Sequence, residues 1–317
     1  MTRFEQPRVA IIGAGEVGCG WAALGLGAGW SVAIYETDTL QKQRASEEIS
    51  RRLNTLIQLG QADRAVTQQS LAQLRMGRSL LQTVTDADWI IEALPEDLPA
   101  KQKLFDQLEP IARLASIITS STSGIRPSDL CGRLRRPERF LVAHPMSPVE
   151  FLPVVEVVPG PLTDPACIED VRFWLSVLGR VPIVFKKEIA GNIIARVQAA
   201  VWRECINLVL EGVLDVEDVD RAVALGPALA WAASGPQAGQ QLEAAEWGVE
   251  IFMSTFLKEC EDRWATLAQW QKLQPEDQKR LIRAVEKAYE GRMPELRQIR
   301  DRRLARFIRA ATQDWPR

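Results

Sequence analysis

The stretch RVAIIGAGEVGCG, residues 8–20, constrains the fold of this chain more than any other feature. A short apolar strand, Val9–Ile12, runs directly into glycines at positions 13, 15 and 18, and an apolar helix follows. This spacing provides a tight turn, a close approach of the backbone to a pyrophosphate, and close packing of helix on strand. We therefore predict a dinucleotide-binding loop, and its candidate cofactor-binding residues are Gly13, Gly15, Glu16, Val17 and Gly18.

An acidic residue follows the second strand of this unit. Residues 32–35 form that strand, and Glu36 comes next, at the distance at which an acid takes the ribose hydroxyls of a dinucleotide. A carboxylate in this place repels a 2′-phosphate. The sequence therefore favours NAD over NADP as the cofactor, with Glu36 as a candidate cofactor-binding residue.

The pattern of alternating apolar segments continues through the first half of the chain. It predicts helices over residues 39–59 and 97–114 and strands over residues 87–93, 116–119 and 140–143. No strand pattern appears after residue 187. The fold class expected is α/β: an N-terminal Rossmann-like doubly wound sheet, residues 1–187, followed by an all-α domain for substrate binding and dimerisation, residues 188–317.

The only histidine of the chain, His144, stands in HPMSPVEFLPVVEVV, and Glu156 is a lone carboxylate in the apolar segment that follows. A buried carboxylate without a partner is costly. Paired with the imidazole, it fixes the tautomer and stabilises the imidazolium, which makes a general base for the oxidation of an alcohol. The alternative is a structural histidine, satisfied by backbone groups in a turn.

Joined to GAGEVG, EALPEDLPAK and STSG, this segment resembles the 3-hydroxyacyl-CoA dehydrogenase superfamily. The chain length and the stretch GPALAWAASGP resemble its short lambda-crystallin branch, which includes L-gulonate 3-dehydrogenase and L-carnitine dehydrogenase. The resemblance covers residues 8 to about 235. It implies an NAD-dependent dehydrogenase that oxidises the 3-hydroxyl of a 3-hydroxy acid or 3-hydroxyacyl substrate to a ketone.

The resemblance also implies roles for single residues. His144 corresponds to the general base, Glu156 to the carboxylate that orients it, and Ser123 to a hydroxyl that hydrogen-bonds the substrate oxygen. Glu96 and Lys101 correspond to residues that line the nicotinamide and ribose side of the cofactor.

The segment GNIIARV, residues 191–197, departs from the pattern of the superfamily. Ala195 stands where an asparagine usually holds the substrate carbonyl, and Asn192 replaces an aromatic residue. Positions three apart are neighbours on a helix face, so Asn192 is a candidate substrate residue that could supply the missing amide. The residue type slightly favours the other interpretation, in which Asn192 only caps the helix that follows.

Two further positions bear on the substrate and on activity. Ala230 replaces an arginine of the branch, which argues against a small anionic hydroxy acid, and Ser147 replaces an asparagine with little expected effect. The alternative function is an NAD-binding protein with decayed catalysis and a structural or regulatory role; the retained Ser123, His144 and Glu156 argue against it. The related beta-hydroxyacid dehydrogenases and imine reductases use a lysine on the helix between the domains, and residues 189–212 contain no lysine.

Composition limits the remaining possibilities. The net charge of −2 gives no reason to expect a nucleic-acid or membrane partner. Five scattered cysteines and one histidine build no metal site and suit free thiols, so we expect a cytoplasmic protein. The uncharged residues 17–35 have nearly the length of a membrane span, but their glycines favour a buried helix and strand.

The second half of the chain suggests a homodimer, because its long apolar helices need a partner surface. Its arginine-rich residues 292–309 are expected to be a solvated helix face, with a phosphate contact to a CoA-type substrate as the alternative. Four tryptophans of this half are expected to pack between helices or to line a bulky pocket: Trp231, Trp247, Trp264 and Trp270.

Overall fold

The computed structural model describes residues 6–244 and 248–313, so Trp247 lies outside the described residues. The chain divides into two compact units, residues 1–195 and 196–317. The division falls in the first turn of a long helix that begins at Ile193, a few residues beyond the predicted boundary after residue 187.

The first unit is built on one eight-stranded sheet with the order β3-β2-β1-β4-β5-β6-β7-β8. All neighbouring strands pair in parallel except β6 and β7, which are antiparallel. The predicted doubly wound sheet is confirmed. Its strands are β1 (Val9–Ile12), β2 (Val32–Tyr35), β3 (Arg75–Met76), β4 (Trp89–Glu92), β5 (Ile117–Ser120), β6 (Phe140–Pro145), β7 (Val154–Pro159) and β8 (Val181–Val184).

Helices cover both faces of this sheet, and several begin at an aspartate whose side chain accepts a backbone N–H of the first turn, as Asp38 and Asp97 do. The helices of the first unit are α1 (Glu16–Gly27), α2 (Thr39–Gln58), α3 (Arg64–Ala72), α4 (Leu80–Val84), α5 (Leu98–Leu108), α6 (Pro127–Cys131) and α7 (Pro165–Val177), followed by the start of α8 (Ile193–Leu210).

The core of the first unit contains a group of stacked and edge-on tryptophans. The ring of Trp89 lies 5.6 Å from that of Trp21 and 5.4 Å from that of Trp174. The uncharged residues 17–35 form α1 and β2 and are mostly buried beside this group, as predicted. None of the helices described here is both long enough and apolar enough to cross a membrane.

The described part of the second unit is entirely helical, which confirms the predicted all-α second half. It contains the rest of α8, then α9 (Val216–Leu225), α10 (Pro227–Ser234), α11 (Pro236–Glu243), α12 (Val249–Trp264), α13 (Pro275–Tyr289) and α14 (Met293–Gln313).

Some element boundaries differ from the prediction for local reasons. The helix predicted over residues 97–114 ends at Leu108, because Pro110 has no N–H with which to continue the helical hydrogen bonds. The helix predicted from residue 189 begins only at Ile193, after Gly191 with a positive φ of 64°. The strand predicted over residues 140–143 continues to Pro145, which places His144 inside β6.

Candidate active site

The glycine-rich loop joins the carboxyl end of β1 to α1, and two of its glycines are required by the protein itself. Gly13 has a φ of +103°, and a Cβ on it would lie 2.6 Å from the carbonyl oxygen of Ala93. A Cβ on Gly18 would lie 2.0 Å from the carbonyl oxygen of Gly13. At Gly15 the nearest protein atom would be 4.0 Å away. The backbone at Gly15 is therefore open to a ligand.

The amino terminus of α1 is equally open. Gly15 is its N-cap, so no side chain caps the helix, and its first N–H groups are available to an anion. Glu16 is exposed in the first turn, whereas Val17 is half-buried and packs against the core. The open glycine and the uncapped helix together fit the pyrophosphate of a dinucleotide.

Glu36 lies beside this loop, at the carboxyl end of β2. One carboxylate oxygen accepts the N–H of Ala14 at 2.8 Å, and the other accepts the N–H of Asp38 at 2.8 Å. Glu36 also lines a cleft of about 270 Å³, together with Gly13, Tyr35 and Leu94. An apolar cleft with a carboxylate at its edge fits the adenosine part of a dinucleotide.

The glycines provide a prediction with its own control. We expect Gly15→Ala to leave the unfolding temperature within about 2 °C of the wild-type value, because a Cβ there meets no protein atom, and to weaken NADH binding about tenfold or more. Gly18→Ala is expected to destabilise the fold itself. Thermal unfolding and NADH titration, followed by energy transfer from the buried tryptophans, measure both effects. Equal binding by Gly15→Ala would exclude a close approach of the cofactor at this residue.

A buried ion pair lies behind the loop that follows β4. The ammonium of Lys101 lies 2.7 Å from Oε1 of Glu92 and 3.0 Å from the carbonyl oxygen of Leu94. The other oxygen of Glu92 accepts the hydroxyl of Ser120. Lys101 is 1% exposed, so the place on the cofactor side that the resemblance implies for it stays a prediction and would act through the groups that Lys101 contacts.

Glu96 stands in front of this ion pair and is partly exposed. Its carboxylate accepts the Thr122 hydroxyl at 2.5 Å and the Gly124 N–H at 3.2 Å, and Lys101 lies 3.8 Å from its other oxygen. Glu96 thus ties the loop after β4 to the hydroxyl-rich loop after β5. Glu92 belongs to this network but was not among the predicted site residues. The sequence signal for it was its position as a carboxylate near the end of the apolar segment ADWIIEA.

His144 and Glu156 are directly opposite each other in the antiparallel pair of β6 and β7. Opposite residues of such a pair project from the same face with their Cβ atoms close together. Nδ1 of His144 lies 2.7 Å from Oε2 of Glu156. The carboxylate side chain is 1% exposed and the imidazole 13%. The predicted contact between the imidazole and the carboxylate is therefore present, with the imidazole the more accessible of the two.

The second oxygen of Glu156 has a separate function. Oε1 accepts the N–H of Ile194 at 2.9 Å, in the first turn of α8. A carboxylate is favourable at the positive end of a helix. Glu156 is thus held from two sides, by the imidazole and by the helix, which leaves it little freedom to rotate.

Ser123 and Asn192 are brought together by the backbone. The N–H of Asn192 donates to the carbonyl oxygen of Ser123 at 3.3 Å, and the N–H of Gly191 donates to that of Gly124 at 3.2 Å. Ser123 is exposed, whereas Asn192 is buried. The loop after β5 therefore lies against the residues that lead into α8.

Two buried arginines hold the segment that connects β6 to β7. Arg52 on α2 lies 2.6 Å from Glu150, and Arg180 donates to the carbonyl oxygen of Val149 at 3.2 Å. Burial lowers the pKa of Arg180 to about 10, which still leaves it cationic at neutral pH. No local pattern could have indicated these residues, because their partners are distant in the sequence.

The cysteine nearest the glycine-rich loop is not a nucleophile. The thiol of Cys19 donates to the carbonyl oxygen of Ala14, and burial raises its pKa to about 11. It therefore remains protonated at neutral pH, and thiolate is the reactive form.

Comparison with known proteins finds related proteins along nearly the whole length of this chain. Residues 8–189 match the family model of the 3-hydroxyacyl-CoA dehydrogenase NAD binding domain, and residues 191–281 match that of the C-terminal domain. The L-carnitine dehydrogenase of Oceanobacillus iheyensis is 33% identical, over 98% of this chain and 99% of its own length. That of Streptomyces coelicolor is also 33% identical, over 96% and 94%.

Solved structures share this architecture. The structure of 5-formyl-3-hydroxy-2-methylpyridine 4-carboxylic acid 5-dehydrogenase, an NAD+-dependent dismutase, has a TM-score of 0.82 at 27% identity and covers 99% of this chain and 100% of its own. A diketoreductase has a TM-score of 0.65 at 26% identity, over 82% and 93%. With both family models matched in order and a glycine-rich loop that fits the cofactor, the chain belongs to the 3-hydroxyacyl-CoA dehydrogenase family and is an NAD-dependent dehydrogenase.

Proposed function

We propose that this enzyme oxidises the 3-hydroxyl of a 3-hydroxy acid or 3-hydroxyacyl substrate to a ketone, with His144 as the general base. The observation that carries the proposal is the 2.7 Å contact between Nδ1 of His144 and the buried carboxylate of Glu156. An ionised carboxylate can only accept hydrogen bonds. The ring proton therefore resides on Nδ1, and Nε2 is free to accept a proton.

Each proposed residue has one task in this reaction. Nε2 of His144 takes the proton of the substrate hydroxyl, and Glu156 stabilises the imidazolium that forms. The exposed hydroxyl of Ser123 donates to the substrate oxygen and orients it. NAD, when bound, accepts the hydride. Glu96, partly exposed beside the Ser123 loop, is proposed to border the nicotinamide and ribose, with Lys101 acting only through it.

Glu36 is proposed to select NAD against NADP, and this proposal predicts a change of preference. For Glu36→Ser we expect the ratio of kcat/KM for NAD to that for NADP to fall at least about tenfold, because a repulsive charge and an acceptor for the ribose hydroxyls are lost. Asp38→Asn is a matched control, since it removes a neighbouring charge and keeps an N-cap side chain. An unchanged ratio in Glu36→Ser would remove Glu36 from cofactor selection.

The substrate is tested by NADH formation from NAD with four compounds: L-carnitine, L-gulonate, 3-hydroxybutyrate and 3-hydroxybutyryl-CoA. The relatives named L-carnitine dehydrogenase make L-carnitine the first compound to test. Ala195 and Ala230 weaken the case for copying their substrate, because both positions have lost a polar or charged side chain. Turnover of any one compound that disappears in His144→Ala supports the proposal. No turnover of any compound, with NADH still bound, would favour the alternative of decayed catalysis.

We also propose that the enzyme is a cytoplasmic homodimer. Large apolar side chains of the second unit are exposed, including Trp202 at 66%, Leu225 at 62% and Ile251 at 58%, and apolar area of this kind is normally covered by a partner. The five free cysteines are compatible with a reducing compartment. Light scattering at micromolar concentration is expected to give twice the mass of the chain, and a monomer mass would contradict the dimer.

A further inference from the structure

Asn192 is a buried polar residue whose side chain has an unused donor. It immediately precedes α8 and is only 3% exposed. The buried Nδ2 atom of its side chain has no hydrogen-bond partner among the residues that the structure describes. Burying an amide donor without an acceptor is costly, and in native proteins such groups are rare. The missing acceptor therefore needs an explanation.

A helix-capping role does not explain Asn192. A capping asparagine accepts a backbone N–H of the first helical turn through its side-chain oxygen. In α8 the N–H of Ile194 is already bound to Oε1 of Glu156 at 2.9 Å. The N–H of Ile194 is therefore capped by Glu156, from β7, and not by Asn192, as the capping interpretation slightly favoured by the residue type would require.

The position of Asn192 points to the substrate. Its backbone N–H binds the carbonyl oxygen of Ser123, and the second residue after it, Ile194, binds the carboxylate that holds His144. Asn192 is thus linked through its backbone to Ser123 and, through Ile194 and Glu156, to His144. A side-chain amide nitrogen can only donate, so the group that it binds must be an acceptor oxygen.

We infer that Asn192 donates its Nδ2 hydrogen bond to an oxygen of the carboxylate or thioester group of the substrate. This inference rests on the proposed oxidation of a 3-hydroxy substrate. The C3 oxygen is served by His144 and Ser123, which leaves the acyl oxygen for the amide. A neutral amide accommodates a carboxylate and a thioester carbonyl alike, whereas an arginine would favour the carboxylate.

Asn192→Asp is the most direct test, because aspartate and asparagine are equally good N-caps and nearly identical in shape. An ionised aspartate cannot donate a hydrogen bond. If Asn192 binds substrate, Asn192→Asp and Asn192→Ala both lower kcat/KM about 10- to 100-fold, the effect of one hydrogen bond to a polar or charged oxygen. The loss is expected mainly in KM, because this contact exists before and during hydride transfer.

Stability separates this role from a structural one. Asn192→Ala removes no hydrogen bond of Nδ2 to the described protein, so we expect its unfolding temperature to stay within about 2 °C of the wild type or to rise, and its affinity for NADH to remain unchanged. Adding Ala195→Asn to Asn192→Ala, one helical turn later on nearly the same side, is expected to restore part of the lost kcat/KM.

The inference is overturned if Asn192→Asp keeps kcat/KM within twofold of the wild type, or if Asn192→Ala unfolds at a markedly lower temperature while a folded sample retains normal kcat/KM. A binding measurement tests the role of Asn192 independently of the proposed oxidation. Binding of 3-hydroxybutyrate to the NADH-bound enzyme, measured by calorimetry, is expected to weaken in both Asn192→Ala and Asn192→Asp. Binding as tight as that of the wild type in both variants would overturn the role of Asn192 even if no oxidation is detected.

Discussion

Replacing His144 with alanine is expected to lower kcat by about 10²- to 10⁴-fold for whichever 3-hydroxy substrate the enzyme turns over. The proton of the substrate hydroxyl has to leave its oxygen as hydride departs from the carbon that carries this hydroxyl. His144 is the only histidine of the chain, so no other imidazole can replace it. Steady-state NADH formation at saturating NAD and substrate measures the effect.

Two controls identify the cause of the loss. NADH binding to His144→Ala, followed by energy transfer from the tryptophans, is expected to equal that of the wild type, because the imidazole contacts Glu156 and not the glycine-rich loop. Glu156→Gln keeps an acceptor for the N–H of Ile194 and removes only the negative charge. It is expected to lose less activity than His144→Ala. A His144→Ala enzyme within tenfold of the wild type would remove this residue from the chemistry.

Replacing Lys101 with methionine is expected to lower the free energy of unfolding by about 3–5 kcal/mol, the usual effect of removing one partner from a buried ion pair. Methionine fills most of the volume of the lysine side chain but leaves the carboxylate of Glu92, which is completely buried, without its cation. The hydrogen bonds from Ser120 and from the N–H of Leu94 remain and do not neutralise the charge. Urea denaturation measures the change.

A double-mutant cycle tests whether the charge is responsible. Glu92→Gln combined with Lys101→Met removes both charges, and we expect the double variant to be more stable than Lys101→Met alone. Lys103→Met is the matched control, because Lys103 lies on the same helix with its side chain exposed, and it should change stability by no more than about 0.5 kcal/mol. A loss below about 1 kcal/mol in Lys101→Met would show that the pair contributes little.

The local pattern of the sequence was sufficient for the first half of the fold. Strands β1 and β2 and the glycine-rich loop were predicted with correct limits, because an apolar run next to G-x-G-x-x-G leaves few other conformations. The short β3 and the exposed edge strand β8 were not predicted. Two residues, as in β3, are too few to show a period, and β8 has little of the alternation that a half-buried strand shows.

The candidate site likewise has parts that the sequence predicts and parts that it does not. The pairing of His144 with Glu156 was predictable, since a lone carboxylate in an apolar strand requires a partner and only one histidine exists. The role of Lys101 was not, because burial of an ammonium depends on Glu92 and on the loop that covers it. The residue type of Asn192 suits a helix cap, and only the tertiary structure shows that Glu156 binds the N–H of Ile194 in the first turn of α8.

The sequence by itself determined the dinucleotide-binding loop, the order of the two units and the residue types of the proposed base and its carboxylate. These features depend on neighbours within a few positions or on the scarcity of a residue type. The tertiary structure alone decided which distant groups meet: Arg52 with Glu150, Lys101 with Glu92, and Glu156 with the first turn of α8. Their partners are chosen by the packing of the sheet and helices, and a hydrogen bond or ion pair acts over a few ångströms whatever the separation along the chain.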